Sequence, residues 1–218
     1  RYVIRQIFIR EGAISKYEVD KIWTQNRPES VEVAKDVFDK ISYRGATSGA
    51  IAIAESKEHS LSSINIIANP TILILDAVEK PGNLGAMIRT ADATAIDAVI
   101  CCDTATDIYN PNVIRSSVGC VFGVPIAVAS REETIGWLNT NKINIYTASL
   151  KASVIYTAID YKDSTAFVLG TEASGVDPLW EEVSQKNIIL PMLGKNDSLN
   201  VSNTAAVLLY ESLRQRSL

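Results

Sequence analysis

From residue 70 onward, short apolar runs alternate with helical stretches, and this pattern constrains the fold more than any other feature of the chain. Thr71–Leu75 (TILIL), Ala98–Cys102 (AVICC), Ile143–Ala148 (INIYTA), Ala166–Leu169 (AFVL) and Asn187–Leu190 (NIIL) each read as a strand. Most are apolar throughout, so both faces of the sheet they form must be covered. Between them Asn83–Ala95, Asn110–Ser117, Arg131–Thr140 and Pro178–Ser184 read as helices, and a long last helix starts at Ser198. Val121–Val128 is a further apolar segment, with Pro125 inside it. The expected fold class is α/β: a mainly parallel sheet with helices on both faces.

Residues 1–67 differ. Tyr2–Arg10 reads as a strand, Lys16–Gln25 and Val31–Ile41 as helices, Ala50–Ala54 as a strand, and the polar stretch Glu55–Ser63 as a linker. Two domains are expected, a small α/β domain over 1–67 and a larger one over 68–218. The start at Arg1, with no initiator methionine, is read as a chain whose first element is missing.

Composition excludes several classes of protein. Hydrophobic residues make up 47% and charged residues 21%, which supports a packed core and argues against disorder. No apolar run approaches the ~20 residues of a membrane span. The sole histidine, His59, stands in a polar segment and reads as a surface residue, so a Ser-His-Asp triad or a histidine-based metal site is hard to build. Cys101, Cys102 and Cys120 are odd in number and form no C-x-x-C, which argues against a disulfide framework and for the cytoplasm. Cys101 and Cys102 end an apolar strand and read as buried small hydrophobes. The formal net charge is −4, so any nucleic-acid face must be local.

Open parallel sheets bind ligands at the C-terminal ends of their strands. Three loops leave such ends here. The first is Lys80–Arg89, a Lys-Pro-Gly-Asn turn running into a helix that Asn83 is placed to cap. In that helix Leu84, Met87, Ile88, Ala91 and Ala95 form one apolar face, and Arg89 points away from it. The second loop is Gly170-Thr171-Glu172-Ala173-Ser174-Gly175. The third runs from Pro191 to Asn200 and carries Ser198. Taken singly, Gly170 and Gly175 read as turn glycines, Glu172 as a solvated acid, Ser198 as a helix cap and Arg89 as a surface cation. Together they place one arginine, one glutamate and two asparagines on three strand-end loops of one sheet. The glycine fingerprints of dinucleotide-binding and P-loop folds are absent.

The three loops, in order, resemble the three motifs of the SpoU (TrmH-like) branch of the SPOUT class of RNA ribose 2′-O-methyltransferases. The matching stretches are Asn83–Ala91, Val168–Gly175, and Ile189–Met192 with Ser198–Ser202. The resemblance covers residues ~70–216 and three ordered motifs make it specific. Residues 1–67 are similar in outline to the small ribosomal-protein-like RNA-binding domain that often precedes this catalytic domain.

The resemblance implies a C-terminal trefoil knot, an exception to the rule of unknotted chains. It implies S-adenosyl-L-methionine as cofactor, held near Thr147, Ala148, Leu169, Gly170, Leu190, Met192 and Leu199. It implies RNA (tRNA or rRNA) as the other partner and a homodimer whose active site draws on both subunits. Its catalytic residues would be Arg89, Asn83, Glu172, Ser198 and Asn200. A guanidinium stays protonated, so Arg89 is expected to clamp a phosphate and stabilise a developing alkoxide rather than act as a base. Glu172 would orient Arg89 or a backbone amide, Asn83 would tie the motif loops together, and Ser198 and Asn200 would shape the pocket. No metal is implied. Lys35, Lys40, Arg44, Lys80, Arg115 and Lys195 are candidates for a local basic face. Two other readings stay open: a non-catalytic RNA-binding member of the fold, and a base-directed RNA methyltransferase of the same class.

Overall fold

A computed structural model of the chain describes residues 2–23, 26–43, 49–172 and 174–217. Arg44 of the basic-face candidates, Ala173 of the second loop, and the end of the expected Lys16–Gln25 helix lie outside the described residues. The chain divides into two units between Glu58 and His59, upstream of the expected boundary after residue 67.

In the first unit, β1 (Ile4–Arg10) pairs in parallel with β2 (Glu29–Val33) and antiparallel with β3 (Ala50–Ala54). Ser15 and Glu18 form a reciprocal capping box that starts α1 (Lys16–Asp20). The expected helix over Val31–Ile41 splits in two. Val31–Val33 joins β2, since an alternating Val-Glu-Val fits a strand edge, and α2 (Lys35–Ile41) begins only after Ala34. Ile7, Ile9 and Val19 form a small core, and Phe38 of α2 is fully buried.

The second unit is a seven-stranded sheet in the order β6-β5-β4-β9-β7-β10-β8, with every pairing parallel. Its strands are β4 (Thr71–Asp76), β5 (Ala98–Cys102), β6 (Ile126–Ala129), β7 (Asn144–Ala148), β8 (Val154–Ile155), β9 (Thr165–Leu169) and β10 (Lys186–Ile189). The helices are α3 (Pro81–Ala93), α4 (Pro111–Ser116), α5 (Arg131–Thr140), α6 (Pro178–Val183) and α7 (Val201–Ser217). Every residue of β4, β5 and β9 is buried, as their apolar runs require. Leu73, Leu75, Val99, Cys101 and Phe167 pack on one face with Leu84, Met87 and Ile88 of α3 and Ala205 and Leu208 of α7. Ile72, Ile74, Ile100, Cys102 and Val168 pack on the other with Leu138 and Trp180. Burial pushes the Cys101 and Cys102 thiols up to about 12, so both behave as small hydrophobes.

Three local expectations change. Lys80, not Asn83, occupies the N-cap of α3; Pro81 takes the first helical position, where its missing N–H is harmless, and Asn83 sits one turn in. The last helix begins at Val201, and Asn200 rather than Ser198 caps it: the Asn200 Oδ1 accepts from the Ser202 N–H at 3.0 Å. His59 is anchored rather than free at the surface. Its Nδ1 lies 2.9 Å from the Ile126 carbonyl, its Nε2 lies 2.6 Å from the Tyr109 hydroxyl, and its own carbonyl accepts from the Val128 N–H. The two-residue β8 was not anticipated, because so short a run has no period to read. Among the described residues no helix is long and apolar enough to cross a membrane.

Candidate active site

β4 and β9 are neighbours, with Leu75 opposite Leu169, and β9, β7 and β10 follow in the sheet. The loops leaving β4, β9 and β10 therefore emerge on one edge. Glu172 joins all three. Its Oε1 accepts from the Asn83 Nδ2 at 3.0 Å and from the Asn200 Nδ2, and its Oε2 pairs with the Lys80 Nζ. The Asn200 Nδ2 also reaches the Asn83 Oδ1 at 3.3 Å. Lys80 and the Asn83 amide hold the Glu172 carboxyl below its ordinary range. Its partners are thus Lys80, Asn83 and Asn200; it does not orient Arg89. Lys80, expected on a basic face, spends its charge on this carboxylate.

The second loop closes on itself. The Thr171 and Gly175 backbones exchange hydrogen bonds of 2.8 and 3.1 Å. A Cβ on Gly170 would sit 2.0 Å from the Gly175 carbonyl oxygen, so the glycine is required by the loop's own closure. The loop is fixed from behind by Asp76, only 2% exposed at the end of β4. Asp76 Oδ1 accepts from the Arg131 Nε at 3.0 Å and Nη2 at 2.9 Å, while Oδ2 accepts from the Asp177 N–H at 2.9 Å. Asp103 and Asp177 each lie 3.4 Å from the Arg131 Nη1. Sequence reading passed over Asp76 and Arg131. The available signal was a carboxylate closing a fully apolar strand, which must find a partner when buried.

The second and third loops and the end of β7 enclose a pocket of about 550 Å³; the first loop does not line it and is tied to it through Glu172. Six of the seven expected cofactor residues line it: Ala148, Leu169, Gly170, Leu190, Met192 and Leu199. Glu172, Ser198 and Asn200 line it as well. Thr147 does not. It is fully buried behind the pocket, with its hydroxyl 2.6 Å from Ser184 Oγ and 3.3 Å from the Trp180 carbonyl. The strand alternation that exposes Ala148 turns Thr147 inward. Ser198 Oγ donates to its neighbour Asp197 at 3.1 Å and makes no bond to the Glu172 group among the described residues.

Arg89 is exposed on α3 and makes no ion pair among the described residues. It does not reach this pocket. It lines a second cleft of about 460 Å³ with Pro81, Gly82, Asn112, Arg115, Ser116 and Val118. The structure therefore gathers Asn83, Glu172, Ser198, Asn200 and the cofactor set on one side of the start of α3, and sets Arg89 on the other.

Comparison with known proteins agrees with this arrangement. The SpoU rRNA Methylase family matches residues 70–210. The chain is 32% identical to the 23S rRNA (guanosine(2553)-2′-O)-methyltransferase RlmP of Bacillus subtilis, over 82% of this chain and 70% of that protein. It is 34% identical to the 23S rRNA (guanosine-2′-O-)-methyltransferase RlmB of Bordetella pertussis, over 84% of this chain and 77% of that protein. The crystal structure of the SpoU methyltransferase AviRb from Streptomyces viridochromogenes, solved with the cofactor AdoMet, superposes with a TM-score of 0.88. That match covers 99% of this chain and 84% of AviRb at 26% identity. With the family matched across the whole parallel sheet and all three motif loops, the chain belongs to the SpoU family of RNA methylases.

Proposed function

We propose that this chain transfers a methyl group from S-adenosyl-L-methionine to a ribose 2′-hydroxyl of RNA, with ribosomal RNA the first substrate to test. The carrying observation is the 550 Å³ pocket formed by the second and third motif loops and the end of β7, with the first motif bonded to it through Glu172, a size suited to a cofactor of this class. Its lining fits the cofactor: Leu169, Leu190, Met192 and Leu199 offer apolar contact to an adenine, and the loop backbones offer hydrogen bonds. Glu172, ionised and tied to both asparagines, holds the loops that make the pocket. S-adenosylmethionine brings a methyl already activated by its positive sulfur, so no metal is needed. The relatives named above are 2′-O-methyltransferases of 23S rRNA, which supports a ribose rather than a base as acceptor.

The 2′-hydroxyl is a poor nucleophile until its proton leaves, and a fixed cation that stabilises the alkoxide lowers that barrier. Arg89 is assigned this role, together with a hold on the adjoining phosphate. Because Arg89 opens into a different cleft from the cofactor pocket, the reading calls for a homodimer in which the guanidinium of one copy completes the pocket of the other. Fully exposed Leu193 and half-exposed Leu199 on the third loop are apolar surface such a partner could cover. The strand order, with β10 between β7 and β8 and α7 returning to α3, supports the knotted path of the SPOUT class. The first unit is assigned to RNA recognition, with exposed Lys35 and Lys40 on α2. A cytoplasmic location follows from an RNA substrate.

The test is transfer of labelled methyl to 23S rRNA, 16S rRNA and tRNA, with the modified atom mapped by mass spectrometry, alongside calorimetry with S-adenosylmethionine. A 2′-O-methyl product and micromolar cofactor binding are expected. A base-methylated product, or no binding at millimolar cofactor, overturns the proposal.

A further inference from the structure

The second cleft holds more than Arg89. Arg115, at the end of α4, lines it too, and no carboxylate does. Both arginines are exposed, and neither makes an ion pair among the described residues, in a chain whose formal net charge is −4. Two guanidiniums facing one cavity repel unless an anion sits between them.

The way α4 is held fixes the backbone that carries Arg115. Gly85 of α3 lies so close to α4 that a Cβ there would meet Ser116 Oγ at 1.9 Å, the Val113 carbonyl at 2.6 Å and the Ser117 nitrogen at 2.9 Å. Val113 is buried in the core, and Ser116 Oγ donates to the Asn112 carbonyl at 2.7 Å and reaches the Pro81 carbonyl at 3.3 Å. Asn110 caps the helix through the Asn112 N–H at 2.9 Å. The glycine of the first motif thus has a local reason: it lets α4 dock where Arg115 shares a cleft with Arg89.

We propose that Arg115 and Arg89 together form a seat for an RNA backbone phosphate, with Arg115 a substrate-positioning residue for the methyl transfer. The inference rests on the functional reading above and adds Arg115 to it. A guanidinium pair suits a phosphodiester, because each planar fork can give two parallel N–H···O bonds. Arg115 acts on the substrate alone and leaves the cofactor pocket untouched.

Binding of a 23S rRNA transcript and of mixed tRNA is measured across a salt series for the full chain, Arg115→Ala, Arg115→Lys and the control Lys162→Ala, whose lysine precedes β9 at the opposite edge of the sheet. With cofactor affinity unchanged, Arg115→Ala is expected to bind RNA about tenfold more weakly. Its slope of log K against log salt is expected to fall by about 0.7–0.9, one lost phosphate contact. Arg115→Lys keeps the slope and loses part of the affinity, and Lys162→Ala matches the parent. The KM for RNA rises in Arg115→Ala while the KM for cofactor stays. Parental affinity and slope in Arg115→Ala overturn the inference, leaving Arg115 a helix-terminal cation; so does a parent chain that binds neither RNA. If the parent binds RNA with the expected slope difference but transfers no methyl, the seat stands and the catalytic reading falls.

Discussion

The two clefts beside the start of α3 are built on opposite terms. The cofactor pocket is made largely of loops: its lining is rich in apolar side chains and backbone, and Lys151 pairs with Glu181 in that lining while Glu172 pairs with Lys80 beside it. The arginine cleft is made of helices: its two guanidiniums have no partner carboxylate lining it. Each depends on a glycine where a Cβ would strike backbone, Gly170 against the Gly175 carbonyl and Gly85 against α4. The contrast teaches that neighbouring loops and helices of one sheet can build an apolar-rich pocket and a cationic cleft from separate sets of residues.

The comparison can be broken by damaging one cleft at a time. The largest effect is expected at Asp76, which pins the cofactor loop through the Asp177 N–H and neutralises Arg131. Asp76→Ala leaves that partly buried guanidinium without its main partner and should cost about 3 kcal/mol in urea unfolding. Cofactor affinity should fall with it, while the RNA salt slope of the surviving folded protein stays. Arg89→Ala is expected to reduce methyl transfer by about 10²–10³-fold with cofactor affinity unchanged in calorimetry. Equal loss of cofactor binding would merge the two clefts into one. Gly85→Ala must push α4 away from α3, at about 1–3 kcal/mol of stability, and should weaken RNA binding more than cofactor binding.

The smallest effect is a pH limb. Glu172 titrates lower in the folded chain than its ordinary 4.5, chiefly through its bond with Lys80. A carboxyl depressed by folding stabilises the structure above its unfolded value and loses that contribution as pH falls through the folded one. Cofactor affinity should therefore be level at and above the ordinary carboxyl value of 4.5 and decline only as pH falls through the lower folded value, where Glu172 protonates. Glu172→Gln should remove the limb and leave affinity uniformly reduced, while the arginine cleft shows no such acid limb.

Much of the framework was legible because burial on two faces leaves a plain mark. The runs TILIL, AVICC and AFVL could only be central strands, and they are fully buried. Leu84, Met87, Ile88 and Ala91 of the expected apolar face met the core and left Arg89 outside, whereas Ala95 falls past the end of α3 and is exposed. The loops after those strands were legible as binding loops, because a parallel sheet presents its strand ends together. The first unit was less legible: Val31–Val33 suits a strand or a helix equally over three residues, and only pairing with β1 decided it.

What the sequence determined by itself was the order of buried strands and covering helices, and with the three motifs, the family. These are local properties: apolar periodicity, cap and turn chemistry, and residue types at short spacing. Tertiary structure alone decided who meets whom. It paired Glu172 with Lys80, Asn83 and Asn200 across 92, 89 and 28 positions of chain, buried Thr147 while exposing Ala148 beside it, and put Asp76 on Arg131. It also placed Arg89 with Arg115 and apart from the cofactor pocket. Contacts so far apart in sequence are set by strand order and helix docking, which depend on the packing of the whole core and leave no periodic trace in any one segment.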